Sequence, residues 1–475
     1  MASVLSAAAA LVLVAWFAVR RWPVFVAFFF ILFSFVWRLA AALNIDLSGP
    51  IHSEQLFREI GPGGATVVLA GAHLAVLLPF LFVFRRAQLR ALRSMEPDWR
   101  TTERAAVTLP GMAVVLAAGY IVLLYVELYR SGVIPLSAGL ERFEYRLEHG
   151  GIFNDWLFRY GNLFAFGLGL FYFLPRLRRS PPDGRFLGLL MLLLVYCFLT
   201  GHRFSAFYSY PTFFLIPYGA VALGHAYPSR SGLAPGSGRR RRRWGPGKLG
   251  WGGPVAVVLV LVLISYGLYN SHRFVRGYDP QQAVDKFTHR LLVQHSEMWW
   301  MTYERVFLTG AYDPGETLRL IFVEPIDPSR NTSIQYLMEK AIGGQRTRVY
   351  AEGQFIYAGG FPEIYFELLG PVGAWPVILF VGWVTAELLC LVLAAIRRRR
   401  VLTVCCGIYV LYALLVMYIG GMLNFLVAWT FWVKVGALVI AANLEGRLAS
   451  VGLSLVPWVW WRPDSLSRLA TRLRE

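Results

Sequence analysis

The chain has 475 residues, of which 57% are hydrophobic and 16% charged, and its formal net charge is +18 at pH 7. A chain of this length and hydrophobic content is not intrinsically disordered, and long apolar runs are typical of a membrane protein. The four cysteines, Cys197, Cys390, Cys405 and Cys406, all lie within apolar stretches. This position excludes both a disulfide framework and a thiolate zinc site.

Eleven apolar stretches are long enough to cross a bilayer, whose hydrocarbon core of about 30 Å needs roughly 20 apolar residues per helix. In chain order the predicted spans are 2–20, 23–44, 64–84, 107–129, 158–175, 186–201, 205–227, 251–270, 371–396, 401–420 and 423–445. We therefore predict an all-α integral membrane protein in which residues 1–475 form one polytopic domain.

Clusters of arginine occupy alternate gaps between these spans, at 20–21, 85–86, 176–179, 239–243 and 397–400, and in the C-terminal tail. Because short cytoplasmic loops collect Lys and Arg, this side is predicted to be cytoplasmic, with the N-terminus outside and the C-terminus inside. The positive charge is thus a topology signal, and attraction to anionic lipid accounts for it. The positive charge therefore does not indicate nucleic-acid binding.

The segments between the spans differ in character between the two sides. On the cytoplasmic side, 228–250 is a basic linker rich in Gly and Pro, and 446–475 is an interfacial tail of Trp and Arg. The predicted periplasmic side has the loops 130–157 and 271–370, which are rich in Arg, Glu, His and Trp. An active site is therefore expected to face outward.

The large loop is predicted to contain a helix over 280–307, because Pro280 can start it and nothing breaks it before Phe307. Offsets of four, three and four place Arg290, Gln294, Glu297 and Met301 on one helical stripe. A guanidinium, an amide and a carboxylate then share a face. The alternative is a surface helix on which Arg290 only bonds along the stripe.

Two arginines lie where a charge is costly. Arg38 lies about six residues short of the outer end of its span, near 9 Å deep at about 1.5 Å per residue, and a charge within a span is a functional hypothesis by default. Snorkelling to the headgroups is the alternative for Arg38. Arg203 follows Gly201 and His202 in a short outer turn, where its guanidinium must find an anion or water.

Metal binding is not predicted. The outer loops contain no Asp-x-Asp pair, His-x-x-x-His pair or carboxylate cluster at the spacing of divalent-metal ligands. His73 and His225 have no acidic or histidine neighbours at such a spacing, so both are expected to be core or boundary histidines whose ring nitrogens are hydrogen-bonded.

Four segments together resemble the O-antigen polymerase (Wzy) family and its capsule and exopolysaccharide repeat-unit polymerase relatives. They are Glu141–Tyr145 (ERFEY), Gly201–Ser205 (GHRFS), Arg290–Trp300 (RLLVQ through WW) and Gly359–Gly370 (GGFP through LG). Their order and topology match that family over residues 110–400. Outside such a family, a tryptophan pair usually only anchors a helix at the membrane interface.

The resemblance implies a GT-C-like polymerase or ligase bundle of 11 or 12 spans, the twelfth being either missed or re-entrant near 355–370. It also implies an enzyme of the bacterial inner membrane that joins undecaprenyl-diphosphate-linked oligosaccharide repeat units on the periplasmic side. No cofactor or metal is expected, because arginines can neutralise the diphosphate leaving group. Membrane lipids, a chain-length regulator and a flippase are the implied partners.

Site residues follow from the resemblance together with the residue chemistry. The candidates for the base that deprotonates the acceptor hydroxyl are Glu297, ranked first, and His202 and His295. The predicted substrate-binding residues are Arg203, Arg290, Arg142, Arg38, Tyr145, Gln294, Trp299, Trp300, Arg276 and Arg305. Among these, Arg203, Arg290 and Arg142, with Arg38 as a weaker fourth, are expected to converge on the donor diphosphate.

Two other functions remain open from the sequence. An O-antigen ligase uses the same lipid-linked donor with a lipid A core acceptor, and the residues do not distinguish it from a polymerase. A flippase or transporter of lipid-linked sugar is less consistent with the sequence, because a transporter needs polar groups through the full depth of the membrane and commonly has repeated halves.

Overall fold

The computed structural model describes all residues except 96–107, 139, 141, 178–180, 203, 227–278, 320–332, 353–356, 358, 422, 424–425, 427 and 451–475. The predicted span 251–270, the basic linker 228–250 and most of the interfacial tail therefore lie outside the described residues.

The described chain is almost entirely helical. Its helices are α1 (Ala2–Arg20), α2 (Trp22–Ala27), α3 (Phe29–Ser48), α4 (Ala65–Val83), α5 (Arg86–Ser94), α6 (Thr108–Arg130), α7 (Pro135–Ala138), α8 (Arg142–Glu148), α9 (Ile152–Leu177), α10 (Gly184–Leu199), α11 (Phe204–Ala226), α12 (Pro280–Leu292), α13 (Gln294–Tyr303), α14 (Pro314–Leu318), α15 (Ser333–Ile342), α16 (Gly344–Glu352), α17 (Glu363–Arg398), α18 (Val401–Gly420) and α19 (Trp429–Ser450). A π-helical turn, Glu304–Leu308, continues α13.

Within the described residues, seven helical segments are long and apolar enough to cross a membrane: Ala2–Arg20, Phe29–Ser48, Ala65–Val83, Gly111–Ala138, Ile152–Pro175, Glu363–Arg398 and Val401–Ile419. The protein is thus a multi-pass, helical membrane protein. Helix α10 is apolar but has only 16 residues. Helix α11 matches the predicted span 205–227 within one residue at each end, and α19 begins six residues later than the predicted span 423–445, but neither is among the seven.

The predicted span 23–44 is divided in the structure. Helix α2 ends at Ala27 and α3 begins at Phe29, because Phe28 leaves the helical conformation at φ −107° and ψ 10°. Helix α3 then continues to Ser48, four residues beyond the predicted end. The position of Arg38 is therefore in the middle of α3, ten residues before its last residue.

Helix α17 begins at Glu363, eight residues before the predicted span 371–396, and is kinked at Gly370 (φ 72°, ψ −177°). A proline disfavours the α-helical conformation of the residue before it, and glycine adopts a positive φ more easily than other residues. The kink therefore follows from the Gly370–Pro371 pair. The segment 363–369 occupies part of the region for which a re-entrant span was predicted.

The purely α-helical prediction missed one small β-hairpin. Strand β1 (Ile51–Ser53) pairs antiparallel with β2 (Arg58–Ile60), with Ile51 opposite Ile60 and Ser53 opposite Arg58. A hairpin this short is marginal alone and depends on contacts with the rest of the chain. We call the side of the bundle that carries it the hairpin face; it is the predicted outer side.

Three carboxylates at the ends of spans cap the helix that follows or neighbours them. Asp46, Glu127 and Glu445 accept hydrogen bonds of 2.9 to 3.1 Å from N-terminal backbone N–H groups of α4, α9 and α18, respectively. Those N–H groups have no partner within their own helix, and the helix dipole favours a negative charge there. The charges are therefore explained by helix capping.

Candidate functional site

The predicted helix 280–307 is broken in two. Its start is confirmed, since α12 begins at Pro280 and the Asp279 side chain accepts a hydrogen bond of 2.9 Å from the backbone N–H of Gln282. Val293, however, has φ −133° and ψ −56°, which separates α12 from α13. The predicted stripe from Arg290 through Glu297 therefore does not lie on one continuous helix.

Side chains of α3 satisfy the carbonyl groups that this break exposes. The indole Nε1 of Trp37 donates to the Leu291 carbonyl at 2.8 Å, and Nδ2 of Asn44 donates to the Leu292 carbonyl at 3.1 Å. The last carbonyls of a helix have no partner within the helix, so these two bonds compensate the end of α12. The break thereby fixes the α12–α13 junction on α3 at the hairpin face.

Arg38 is buried at this junction, with 3% of its side chain exposed. Its guanidinium forms an ion pair with the fully buried Glu363, and its Nε donates to the His295 carbonyl at 3.2 Å. In return, Ser296 Oγ donates to the Arg38 carbonyl at 2.7 Å. Arg38 is held inside the protein and does not snorkel. Its Nη1 and Oε2 of Glu363 have no hydrogen-bond partner among the described residues.

Glu297, the base predicted first, is fully buried on α13. Its Oε1 accepts a hydrogen bond of 3.0 Å from the backbone N–H of Glu54 in the hairpin, and it lies 3.1 Å from Nε2 of His289. Its Oε2 has no partner among the described residues. His289 of α12 is thus a partner of this carboxylate, a contact that the predicted stripe of Arg290, Gln294 and Glu297 did not include.

His295 packs against Trp37. Its ring centroid is 3.9 Å from that of Trp37. Burial, and secondarily the charges of Arg38 and Arg290, lower the pKa of His295 to about 3. The imidazole is therefore neutral near pH 7, and it is a weak proton acceptor there because an efficient general base has a pKa near the working pH.

His202 and Tyr145 have contacts with helices other than α12 and α13. His202 is buried, with Nδ1 3.0 Å from Thr200 Oγ1 and its ring 4.8 Å from that of Phe158 in α9. Tyr145 of α8 is fully buried, and its ring lies 6.2 Å from that of His149. These contacts connect both residues to α8, α9 and α10, whereas those of Glu297 involve α12 and the hairpin.

Several predicted substrate-binding residues cannot be placed relative to this cluster. Arg203 and Arg276 lie outside the described residues, as does the side chain of Arg142. Arg290 and Gln294 flank the helix break, where both are partly exposed. The convergence of Arg203, Arg290 and Arg142 on one cavity therefore stays a prediction.

The tryptophan pair packs inside the protein. Trp299 is fully buried, and its Nε1 donates to the Ala65 carbonyl at the start of α4 at 2.9 Å. The Trp300 ring lies so close to Gly63 that a Cβ on that glycine would be 2.3 Å from a ring atom. Neither ring presents an open face to a sugar or to the membrane interface, so both fix α13 against the bundle.

Arg305 also has a buried carboxylate partner. Its Nε donates to Oε1 of the fully buried Glu367 at 3.2 Å. Glu367 lies one helical turn after Glu363, the partner of Arg38, so α17 presents two buried carboxylates to two arginines. Sequence reasoning missed both acids, although their spacing of four residues in the otherwise apolar run EIYFELL was a visible signal.

The hairpin is attached to the α12–α13 segment by polar contacts. Lys286 Nζ lies 2.5 Å from Glu54 Oε1, and Arg58 forms an ion pair with Glu304. Tyr357 donates its hydroxyl to the Gln55 carbonyl at 2.9 Å. Exposed ion pairs contribute only about 0 to 1 kcal/mol each, so the hairpin is held over Glu297 by several weak contacts.

Comparison with known proteins adds one match. A family described as a family of unknown function (DUF6418) matches residues 327–434, from just before α15 into α19, less than a quarter of the 475 residues. No curated protein and no solved structure matches the chain. The matched segment includes Glu363 and Glu367. The chain is thus similar, over that segment, to a family whose function is unknown.

Proposed function

We propose that this protein is a glycosyltransferase that joins undecaprenyl-diphosphate-linked oligosaccharide repeat units into O-antigen, capsular or exopolysaccharide. The reaction would occur at the periplasmic face of the bacterial inner membrane. The observation that carries the proposal is the buried carboxylate of Glu297, paired with His289 beside Arg290 on the hairpin face. Together with the order of the polymerase-like segments, this pair supplies a proton acceptor next to a cation.

The chemistry requires little beyond a base and cations. Undecaprenyl diphosphate is a good leaving group, and arginine neutralises its developing charge through paired N–H bonds. In the proposal, Arg203, Arg290 and Arg142 bind the diphosphate. Arg38 and Arg305 are assigned to positioning instead, because each is already paired with a buried carboxylate of α17.

The acceptor is the substrate that distinguishes the polymerase from a ligase. In a polymerase, a hydroxyl of a second lipid-linked repeat attacks the sugar that is linked to the diphosphate. The base removes the hydroxyl proton, and positioning of the two lipids in one site supplies much of the remaining rate enhancement. A GT-C-like arrangement of the helices is part of this proposal.

Capping of helices by Glu127 and Glu445 favours an enzyme over a flippase. Both acids lie at the ends of spans and accept hydrogen bonds from helix N-termini, so neither needs a transport pathway to explain it. The Arg38–Glu363 pair likewise lies next to the α12–α13 segment, where Arg38 also donates to the His295 carbonyl.

The test is reconstitution of the purified protein with lipid-linked repeat units isolated from its native host and no lipid A core. A polymerase gives a ladder of long products, which also forms in the presence of EDTA. Transfer of a single repeat that requires added lipid A core identifies a ligase. Movement of lipid-linked sugar across the vesicle membrane without any product identifies a flippase, and either result overturns the proposal.

A further inference from the structure

We infer that His289, rather than Glu297, takes the proton of the acceptor hydroxyl, and that Glu297 is the residue that positions it. This inference rests on the proposed function and names the group that touches the sugar. His289 was not among the residues that the sequence singled out for catalysis. It becomes a candidate because the α12–α13 break brings residues 289 and 297 together.

Exposure separates the roles of the two residues. The Glu297 side chain is 0% exposed, whereas that of His289 is 16% exposed. A substrate arriving from the hairpin face can therefore reach the imidazole without reaching the carboxylate. In addition, Oε1 of Glu297 already has two neighbours, the Glu54 backbone N–H and Nε2 of His289.

The orientation of the imidazole leaves its second nitrogen available. Since Nε2 lies 3.1 Å from a carboxylate oxygen, it carries the hydrogen and donates it to Glu297. In the neutral ring, Nδ1 then has the free lone pair. No hydrogen bond joins Nδ1 to any part of the chain that the structure describes. A carboxylate that fixes the tautomer in this way also stabilises the imidazolium once it forms.

Two elements hold this pair in place. The hairpin supplies the Glu54 N–H that fixes the carboxylate, and the ion pair between Glu54 and Lys286 ties the hairpin to α12. Lys286 and His289 are three residues apart on α12, so they lie on neighbouring parts of its surface. The imidazole, the carboxylate and the hairpin therefore meet at one point.

The proposed step is balanced in atoms and charge. The acceptor hydroxyl oxygen forms a bond to the anomeric carbon of the donor sugar while its proton passes to Nδ1 of His289. The bond between that carbon and the diphosphate oxygen breaks, and undecaprenyl diphosphate leaves with the electron pair. The imidazolium, hydrogen-bonded to Glu297, then releases its proton to water.

Matched variants test the assignment in the ladder assay. His289→Gln keeps an N–H for Glu297 but removes the basic nitrogen, so kcat should fall about 10²- to 10⁴-fold, the usual contribution of a general base, with KM little changed. His289→Ala should fall similarly and regain part of its activity with added imidazole. Glu297→Gln should retain more activity than His289→Gln and should not respond to imidazole.

If Glu297→Gln instead abolishes the ladder while His289→Gln keeps at least half of the wild-type kcat, Glu297 is the base and the inference is wrong. The midpoint of thermal unfolding should be within a few degrees of wild type for His289→Gln. A variant that melts early and regains nothing with imidazole shows a structural role, which also overturns the inference.

A second readout does not depend on turnover. Diethyl pyrocarbonate acylates accessible imidazole nitrogens, so His289 should be modified in the wild-type protein and protected by the lipid-linked repeat. His52, whose side chain is 63% exposed in the hairpin, serves as the control and should react equally with and without substrate. If ladders form but the lipid-linked repeat does not protect His289 from modification, this inference is wrong and the proposed polymerase activity is supported. If the lipid-linked repeat protects His289 but no ladders form, the proposed polymerase activity is wrong, and His289 is a residue that contacts the lipid-linked sugar.

Discussion

The ion pair between Arg38 and Glu363 gives the sharpest prediction about stability. Only 3% of the arginine side chain and none of the glutamate side chain is exposed, so neither charge can turn to water when its partner is removed. Removing one partner of a buried pair typically costs about 3 to 5 kcal/mol, because the remaining charge is left uncompensated. We expect this loss for Glu363→Gln and for Arg38→Met.

The corresponding change in melting temperature can be worked out. At about 2.1 cal/mol/K per residue, 475 residues have an unfolding entropy of about 1 kcal/mol/K, so a loss of 3 to 5 kcal/mol lowers the midpoint by about 3 to 5 °C. Arg38→Lys should lose less, since it keeps the charge opposite Glu363 but not the Nε bond to the His295 carbonyl. That bond to a charged donor is worth about 1.5 to 3 kcal/mol.

The assay is thermal unfolding of purified protein in one detergent, followed by intrinsic tryptophan fluorescence. The double variant Arg38→Met/Glu363→Gln leaves no unpaired charge at this position, so it should be more stable than the sum of its single losses predicts. Glu59→Gln, at a hairpin carboxylate that is 61% exposed, is the control and should shift the midpoint by less than about 1 °C. Single variants that melt like wild type, or a strictly additive double variant, would refute the reasoning.

Three further predictions concern other parts of the chain. The pKa of His295 is about 3 in the folded protein and near 6.5 in the unfolded chain. Between these two values the unfolded chain binds a proton at His295 and the folded protein does not, so stability falls as the pH falls. His295→Phe should therefore show a smaller drop in melting temperature between pH 6.5 and pH 3. Glu445→Ala removes the cap of α18 and should lower stability by about 1 to 2 kcal/mol, seen as an earlier thermal midpoint. In intact cells, a membrane-impermeant thiol reagent should label a cysteine at Gly315, but one at Gly236 only after permeabilisation; the reverse pattern contradicts the topology.

Composition and periodicity determined the class of protein and most of the helix positions. A bilayer satisfies no backbone hydrogen bonds, so an apolar run of about 20 residues has to be helical wherever it packs. Ala2–Arg20, Ala65–Val83 and Val401–Gly420 accordingly agree with the predicted spans within one residue at each end. The prediction that His73 lies in the core is confirmed, since it is buried with its ring 4.1 Å from that of Phe35. The prediction that its polar atoms are satisfied there is wrong, because neither ring nitrogen has a hydrogen-bond partner among the described residues.

The sequence also singled out Arg38, because a charge within an apolar span is visible in a pattern, and Glu297, because helical spacing placed it on a stripe with Arg290. It could not assign their partners. Glu363 lies 325 residues from Arg38 along the chain, and no local periodicity connects two positions so far apart. Likewise, the helical stripe placed Glu297 on one face with Arg290 and did not reveal its contact with His289, since spacing rules assume an unbroken helix.

The break at Val293 was decided by tertiary structure alone. No glycine or proline occurs between Gln281 and Asp313 except Gly310, so nothing local ends α12 at Leu292. The cost of the exposed carbonyls is offset by Trp37 and Asn44 of α3, two side chains that reach them only in the folded bundle. What the sequence determined was thus which segments are helical and which residues carry charge. Which of those charges face each other depended on contacts between distant segments, because hydrogen bonds and burial are properties of the packed chain.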